Sequence, residues 1–131
     1  HLVFAPLHAN TAVDALARMV NFFPADQRDS IRQGLADALA AVVAQRLIRR
    51  REGKGRLAAV EILIANLGVR HAIRENMLSA LVSIMEADED HLGMCTMEQS
   101  LVRLAREGLV EPQEARGLAP DPQKFDKCLS G

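Results

Sequence analysis

The sequence predicts a mixed α/β chain that is mainly helical, with one terminal strand and a central β-hairpin. Apolar residues recur at helical spacing over most of its length. Leu2, Val3 and Phe4 form a short apolar run that ends at Pro6. Between residues 45 and 64 the pattern changes from helical spacing to alternation. These three observations together favour strands inside a largely helical chain.

The N-terminal part is predicted to hold one strand and two helices. A strand over residues 1–5 would be buried on both faces, as in a parallel sheet, because its apolar run is continuous. A buried strand at residue 1, without an initiator Met, leads us to expect a segment of a longer protein. Asn10 or Thr11 can cap the next helix, with Asp14 in its first turn. Pro24 can start a second helix. The apolar stripe of that helix comprises Ile31, Leu35, Ala38, Leu39, Val42 and Val43.

The β-hairpin is predicted from two runs at residues 45–50 and 57–64. They flank a turn with Gly53 and Gly55, whose missing Cβ atoms permit the positive φ that a hairpin turn needs. In the second strand we expect Glu61 on the face opposite to a set of four apolar residues. That set comprises Ala58, Val60, Ile62 and Ile64.

Helical spacing returns at Asn66, which can cap a short helix. A further helix follows, and another begins at Thr96, where Gln99 three residues later completes a capping box. Gly108 is a natural stop for that helix. The tail from Gly117 is rich in Pro, Asp and Lys, so we expect it to be loose.

Composition excludes several functions. The 131 residues suffice for one domain, and 16 basic against 17 acidic residues give a net charge of -1. Aromatic residues make up 3%, without Trp or Tyr, so neither a positive field nor base stacking favours a nucleic-acid partner. Cys95 and Cys128 lie far apart in sequence, which fits a reducing cytosol better than a disulfide scaffold. The apolar runs are too short to span a bilayer.

The sequence offers few clusters that could carry chemistry. Its four histidines have no spacing that predicts a metal site. The motif G-x-x-x-x-G-K-[ST] is absent, so these residues alone cannot cradle a nucleotide phosphate. The basic turn, residues 49–56, either binds phosphate or an acidic partner or is simply solvated. His1 and His8 bracket the predicted strand, and a bend at Pro6 and Leu7 would be needed to bring them together.

Several segments, taken in order, resemble the motifs of secretion and pilus ATPases. HLVFAPLHANTA, residues 1–12, is similar to their His box, and GKGRLAAVEIL, residues 53–63, is similar to G-x-G-R-x-A-x-E-[IV]. GVRHAIRE, residues 68–75, resembles the AIRNLIRE helix of pilus-retraction ATPases, and HLGMCTMEQSL, residues 91–101, resembles HGMxTxDQAL. Between the first two of these segments, Phe23, Pro24 and Gln45 fit the family's pattern of a helix, then Phe-Pro, then a long helix that ends in Gln. Nearly the whole chain therefore resembles the C-terminal part of PilT/PilU-type twitching-motility ATPases.

The resemblance implies a parent protein with a RecA-like P-loop ATPase core. Such a parent would form a homo-oligomer, a hexameric ring, and use ATP and Mg²⁺ to drive pilus disassembly. It would be cytoplasmic and peripheral at the inner membrane, where it would meet pilus platform proteins. Residues 1–66 would end the ATPase core, residues 67–116 would be the C-terminal helical region, and residues 117–131 would be the tail. The P-loop would lie upstream, so the chain alone is predicted to be inactive and to bind no cofactor.

The resemblance also implies roles for individual residues. His8 would sense or polarise the terminal phosphate, with His1 helping on the same side. The residues carried over to the retraction helix are Arg70, Ile73, Arg74 and Glu75.

Helical spacing adds an expectation for this helix. Val69, Ala72 and Ile73 share a face that should pack inward, and Arg70 and Arg74 should point outward.

This sequence departs from the family pattern at four positions. Pro6 stands where the His box has Thr, Ala17 where an acidic residue is usual, and His71 and Ala72 where Asn and Leu are expected. The alternative to a motor ATPase is a non-enzymatic domain that binds pilus-base or secretion-complex proteins. A P-loop upstream of His1 would distinguish the two.

Overall fold

The structure, a computed structural model, describes residues 1–89 and 91–131. Within them, helices surround one two-stranded antiparallel hairpin. The elements are α1 (Ala12–Asn21), a 3-10 turn (Ala25–Gln27), α2 (Arg28–Ala38), β1 (Ala41–Arg49), β2 (Arg56–Ile64), α3 (Leu67–Arg74), α4 (Ala80–Ala87), α5 (Met97–Arg106), α6 (Pro112–Leu118) and α7 (Pro122–Ser130). No helix in this described part of the chain is both long and apolar enough to cross a membrane.

The strand predicted at residues 1–5 does not form. Leu2, Val3 and Phe4 are 76%, 78% and 88% exposed, and none belongs to a strand. A strand needs a neighbour for its backbone groups, and the sheet in the described part of the chain consists of β1 and β2, without residues 1–5. The prediction of a buried strand was therefore wrong for this chain.

The second helix begins later and ends earlier than predicted. Pro24 precedes the 3-10 turn, and α2 starts at Arg28. Leu39 is extended, with ψ 130, and Val42 and Val43 belong to β1. These two β-branched residues fit helical spacing, but pairing with β2 favours their extended form.

The hairpin shows which face of β2 is buried. Gly53 and Gly55 adopt φ of 84 and 103 in its turn, as predicted. The buried face carries Ala59, Glu61 and Leu63, so Glu61 lies opposite the four-residue apolar set, as predicted. Both faces of β2 are rich in apolar residues, so alternation alone did not identify the buried one.

Two hydrophobic clusters flank the hairpin. The first is formed by α1, α2, α3 and α4 with Leu63 of β2. The second is formed by α5, α6 and α7 with Ile48 and Ala59 of the hairpin. Both strands therefore connect the two clusters. The division of the chain at residues 66 and 116 stays a prediction.

The tail is not loose. Gly117 lies within α6, and α7 follows it. Asp121 caps α7 by accepting hydrogen bonds from the N–H groups of Gln123 and Lys124, both at 3.0 Å. Phe125 is 1% exposed in the second cluster. Phe125, together with the partly buried Leu118 and Leu129, holds the Pro-, Asp- and Lys-rich tail against the second cluster.

The start of α5 carries the predicted capping box. The N–H of Gln99 donates to Thr96 Oγ1 at 3.3 Å, and Gln99 Oε1 accepts from the N–H of Thr96 at 2.9 Å. Glu98, in the same turn, is buried and accepts from the N–H of Asp121 at 3.0 Å. Glu98 thereby holds the start of α7 against α5.

Candidate functional site

The segment that carries His1 and His8 leads directly into α1. Both histidines are exposed. Thr11 caps α1, as predicted, because its Oγ1 accepts from the N–H of Asp14 at 3.1 Å. The segment thus ends in the cap of α1, three residues after His8. The catalytic roles of His1 and His8 stay predictions.

The anchor of α1 is the carboxylate of Glu61. Its Oε1 accepts from the N–H of Ala12, the first residue of α1, at 2.5 Å. Its Oε2 accepts from the N–H of Met97, the first residue of α5, at 3.0 Å. Glu61 is 5% exposed. One buried carboxylate on β2 therefore joins the N-termini of two helices, where unpaired N–H groups and the helix dipole favour a negative charge.

Burial raises the pKa of the Glu61 carboxyl above its usual 4.5. The hydrogen bonds from Ala12 and Met97 oppose that effect, and the negative charges of Glu98 and Asp14 add to it. The ionised form therefore costs free energy at this position, although two backbone donors face it. A residue that only filled space would avoid this cost.

The helix α3 presents the predicted apolar face to the core. Asn66 caps it by accepting from the N–H of Val69 at 3.0 Å. Val69, Ala72 and Ile73 are each at most 1% exposed, which confirms their inward face. Ile73 is thus a core residue of the first cluster.

The two arginines of α3 do not form a free outward strip. Arg70 donates from its Nη1 to the carbonyl of Ala36 and, at 3.0 Å, to that of Asp37. Arg74 forms an ion pair with the Asp37 carboxylate. Ala36 and Asp37 lie in the last turn of α2, whose carbonyls have no partner within the helix. We call this set the arginine clasp; it gives both arginines a role in the fold that spacing did not predict.

The basic turn remains open to both interpretations. Arg49, Arg50, Lys54 and Arg56 line an open cavity of about 650 Å³. Arg51 instead pairs with Glu111 at 3.0 Å. Phosphate binding and simple solvation therefore both stay predictions for this turn.

Metal-ligating side chains do not form a cluster of three in the described part of the chain. Residues 1–89 and 91–131 hold no group of three or more His, Cys, Asp or Glu side chains that could bind one. The carboxylate of Asp88 is used within its own loop, where it accepts from the N–H groups of Leu92, Gly93 and Met94 at 2.9–3.2 Å.

Sequence reasoning missed Glu61 and Asp37 as site residues. Glu61 was visible within the motif at residues 53–63, and its place between apolar residues on both faces of a strand was the available signal. Asp37 carried no local signal, because its partners Arg70 and Arg74 lie 33 and 37 residues away.

The comparison with protein families decides the relationship. The family model described as "Type II/IV secretion system protein" matches residues 1–111. The chain belongs to this family.

Two curated relatives are named for twitching motility and for pilus retraction. The chain is 42% identical over 125 residues to the "Twitching motility protein" of Neisseria gonorrhoeae, covering 95% of the chain and 33% of that protein. It is 36% identical over 125 residues to the "Type IV pilus retractation ATPase PilT" of Pseudomonas aeruginosa, covering 95% of the chain and 36% of that protein. The chain thus spans about a third of the length of these curated relatives.

Solved structures agree with the family assignment. The crystal structure of the pilus retraction motor PilT with bound ADP superposes with a TM-score of 0.86 at 38% identity, covering 97% of the chain and 35% of that structure. The ATPase DotB of Yersinia pseudotuberculosis superposes with a TM-score of 0.68 at 18% identity, covering 85% of the chain and 28% of that structure, which shows the fold alone. The chain therefore has the fold of one part of a RecA-like ATPase motor.

Proposed function

We propose that this chain is the C-terminal part of a type IV pilus retraction ATPase, which couples ATP hydrolysis to pilus disassembly. The match to the pilus retraction motor over 97% of the chain, at 38% identity, is the observation that carries the proposal. The parent would work as a homo-oligomer, a hexameric ring. It would be cytoplasmic and peripheral at the inner membrane, in contact with the pilus platform proteins.

Nucleotide binding is proposed for the full-length protein because the similar pilus retraction motor PilT was solved with bound ADP. In phosphoryl transfer, ATP is accompanied by Mg²⁺, which neutralises charge on the phosphates. The proposed contribution of this chain is to orient groups around the terminal phosphate.

His8 would supply an electrostatic contact to that phosphate, and His1 would assist from the same side. The exposure of His8 leaves its imidazole accessible to a ligand. A contact that strengthens as charge develops lowers the barrier without tightening ground-state binding. His8→Ala in the full-length protein should therefore lower kcat far more than it raises KM for ATP. An unchanged kcat would remove His8 from the catalytic machinery.

The helix α3 would transmit the motor's work through Arg70, Ile73, Arg74 and Glu75. Ile73 anchors the helix in the core, Glu75 is exposed at its end, and the arginine clasp fixes it to α2. Retraction would then need α3 and α2 to move as one body.

A twitching assay beside an ATPase assay tests this coupling. Arg70→Ala with Arg74→Ala in the full-length protein should abolish motility and leave ATP turnover largely intact. Arg106→Ala is the matched control, because Arg106 also donates to a helix carbonyl, that of Cys128 at 2.6 Å, but outside α3. A parallel loss of turnover and motility would place the arginines in ring assembly or in the active site instead.

A further inference from the structure

We propose that Glu61 is a positioning residue that fixes residues 8–11, the His8 segment, in place against β2 and α5. The catalytic consequence of this inference depends on the proposed ATPase function, whereas the positioning itself does not. The juxtaposition that carries it is one buried carboxylate shared by the first residues of α1 and α5.

The geometry makes Glu61 a rigid link. Its backbone is held in β2 by pairing with Ala44 of β1. Its two oxygens meet the N–H groups of Ala12 and Met97, and all three residues are at most 5% exposed. His8 precedes Ala12 by four residues, so a shift in the start of α1 carries the histidine with it. The contact acts on backbone, which means that it places the chain and not a single side chain.

A carboxylate is the side chain that this link requires. Each of its oxygens accepts hydrogen bonds, so two N–H groups that point at it from different helices are both satisfied. A Gln side chain has one accepting oxygen and one donating NH₂, and the NH₂ would oppose one of the two N–H groups. Glu61→Gln therefore keeps the size of the side chain and breaks one half of the link.

Glu98 provides a matched control within the same fold. It is buried to a similar extent, 6% against 5% exposed, and also accepts a backbone N–H at the start of a helix. Its partner is Asp121 at the start of α7, not the segment before α1. If the substitution of any buried carboxylate were enough to lower kcat, Glu61→Gln and Glu98→Gln would both lower it.

The experiment uses the full-length protein and two measurements. The first is hydrogen exchange of the peptide that covers residues 9–14, without nucleotide. The second is kcat and KM for ATP in the wild type and in variants Glu61→Gln, Glu98→Gln, His8→Ala and Glu61→Gln with His8→Ala. Glu61→Asp, which keeps both acceptors on a shorter stem, is made in case the Gln variant does not fold.

We expect Glu61→Gln to accelerate exchange at residues 9–14 and to lower kcat about tenfold or more, since small displacements of catalytic groups are costly. KM should stay within about twofold. In the His8→Ala background, Glu61→Gln should lower kcat little further, because the effect of Glu61 on catalysis passes through His8. Glu98→Gln should change neither measurement, and Glu61→Asp should give intermediate values.

Three results would overturn the inference: unchanged exchange at residues 9–14, equal losses in Glu61→Gln and Glu98→Gln, or losses that multiply fully in the double variant. A wild-type protein without ATPase activity, or one indifferent to His8→Ala, would instead count against the proposed function. The exchange measurement alone would then decide whether Glu61 positions the segment.

Discussion

At the scale of single residues, the buried carboxylate of Glu61 is the group on which two helices depend. Each of its partners, Ala12 and Met97, would leave a buried N–H without an acceptor if the side chain were removed. Such a loss costs about 1–3 kcal/mol per group. The free energy of ionisation works in the opposite direction, because burial raises the pKa of this carboxyl.

This opposition predicts a pH dependence with a definite sign. Because the folded-state pKa of Glu61 lies above 4.5, the folded chain binds this proton more tightly than the unfolded chain. The free energy of unfolding, taken as wild type minus Glu61→Gln, should rise as pH falls through the raised pKa towards 4.5. Below 4.5 it should level off. Urea unfolding of both proteins across this window measures it, and a difference that shrinks on acidification would contradict it.

What the sequence predicts about single residues depends on how near their partners are. The caps Thr11, Asn66 and Thr96 are confirmed, because each bonds an N–H only three residues away. Glu61 bonds residues 49 and 36 positions away, and no local pattern encodes such a contact. The motif and the strand face of its glutamate were visible in the sequence, but the burial of that face was not.

At the scale of elements, α2 and α3 are joined by charge as well as by apolar packing. The guanidinium of Arg70 caps carbonyls at the C-terminal end of α2, where a positive charge is favoured. Helix spacing correctly predicted which face of α3 packs inward. It did not predict the clasp, because the position of α2 beside α3 is a property of the packed structure.

The arginine clasp should contribute unequally to stability through its two members. Arg70→Ala removes hydrogen bonds from a charged donor to two backbone carbonyls, so we expect a loss of about 1–2 kcal/mol. Arg74→Ala breaks an ion pair whose carboxylate side chain is 68% exposed, so we expect less than about 1 kcal/mol. Urea unfolding of the two variants compares them. A larger loss for Arg74→Ala would mean that the ion pair, and not the capped carbonyls, holds α2 to α3.

At the scale of the whole molecule, the hairpin joins the two hydrophobic clusters. The sequence predicted a succession of helices, but not that they pack into two clusters beside the hairpin. Leu63 packs in the first cluster and Ala59 in the second, four residues apart on one strand face. The predicted terminal strand and loose tail failed for the same reason. Whether a segment pairs or packs depends on its neighbours, which neither the apolar run at residues 2–4 nor the scattered apolar residues of the tail reveal.

The whole chain is also the scale at which nucleotide binding is tested. The 131 residues contain no G-x-x-x-x-G-K-[ST] loop to cradle phosphates, so we predict that the chain alone neither binds nor hydrolyses ATP. Calorimetric titration with ATP and Mg²⁺ should show no saturable heat, and the full-length protein, titrated in parallel, should bind. The basic turn is the place where a weak anion site could appear, so Arg50→Ala with Lys54→Ala serves as the control for unspecific phosphate attraction. A Kd of about 10 µM or tighter for the isolated chain, unaffected by that double variant, would contradict the prediction. It would also require the phosphate-binding groups to lie within these 131 residues.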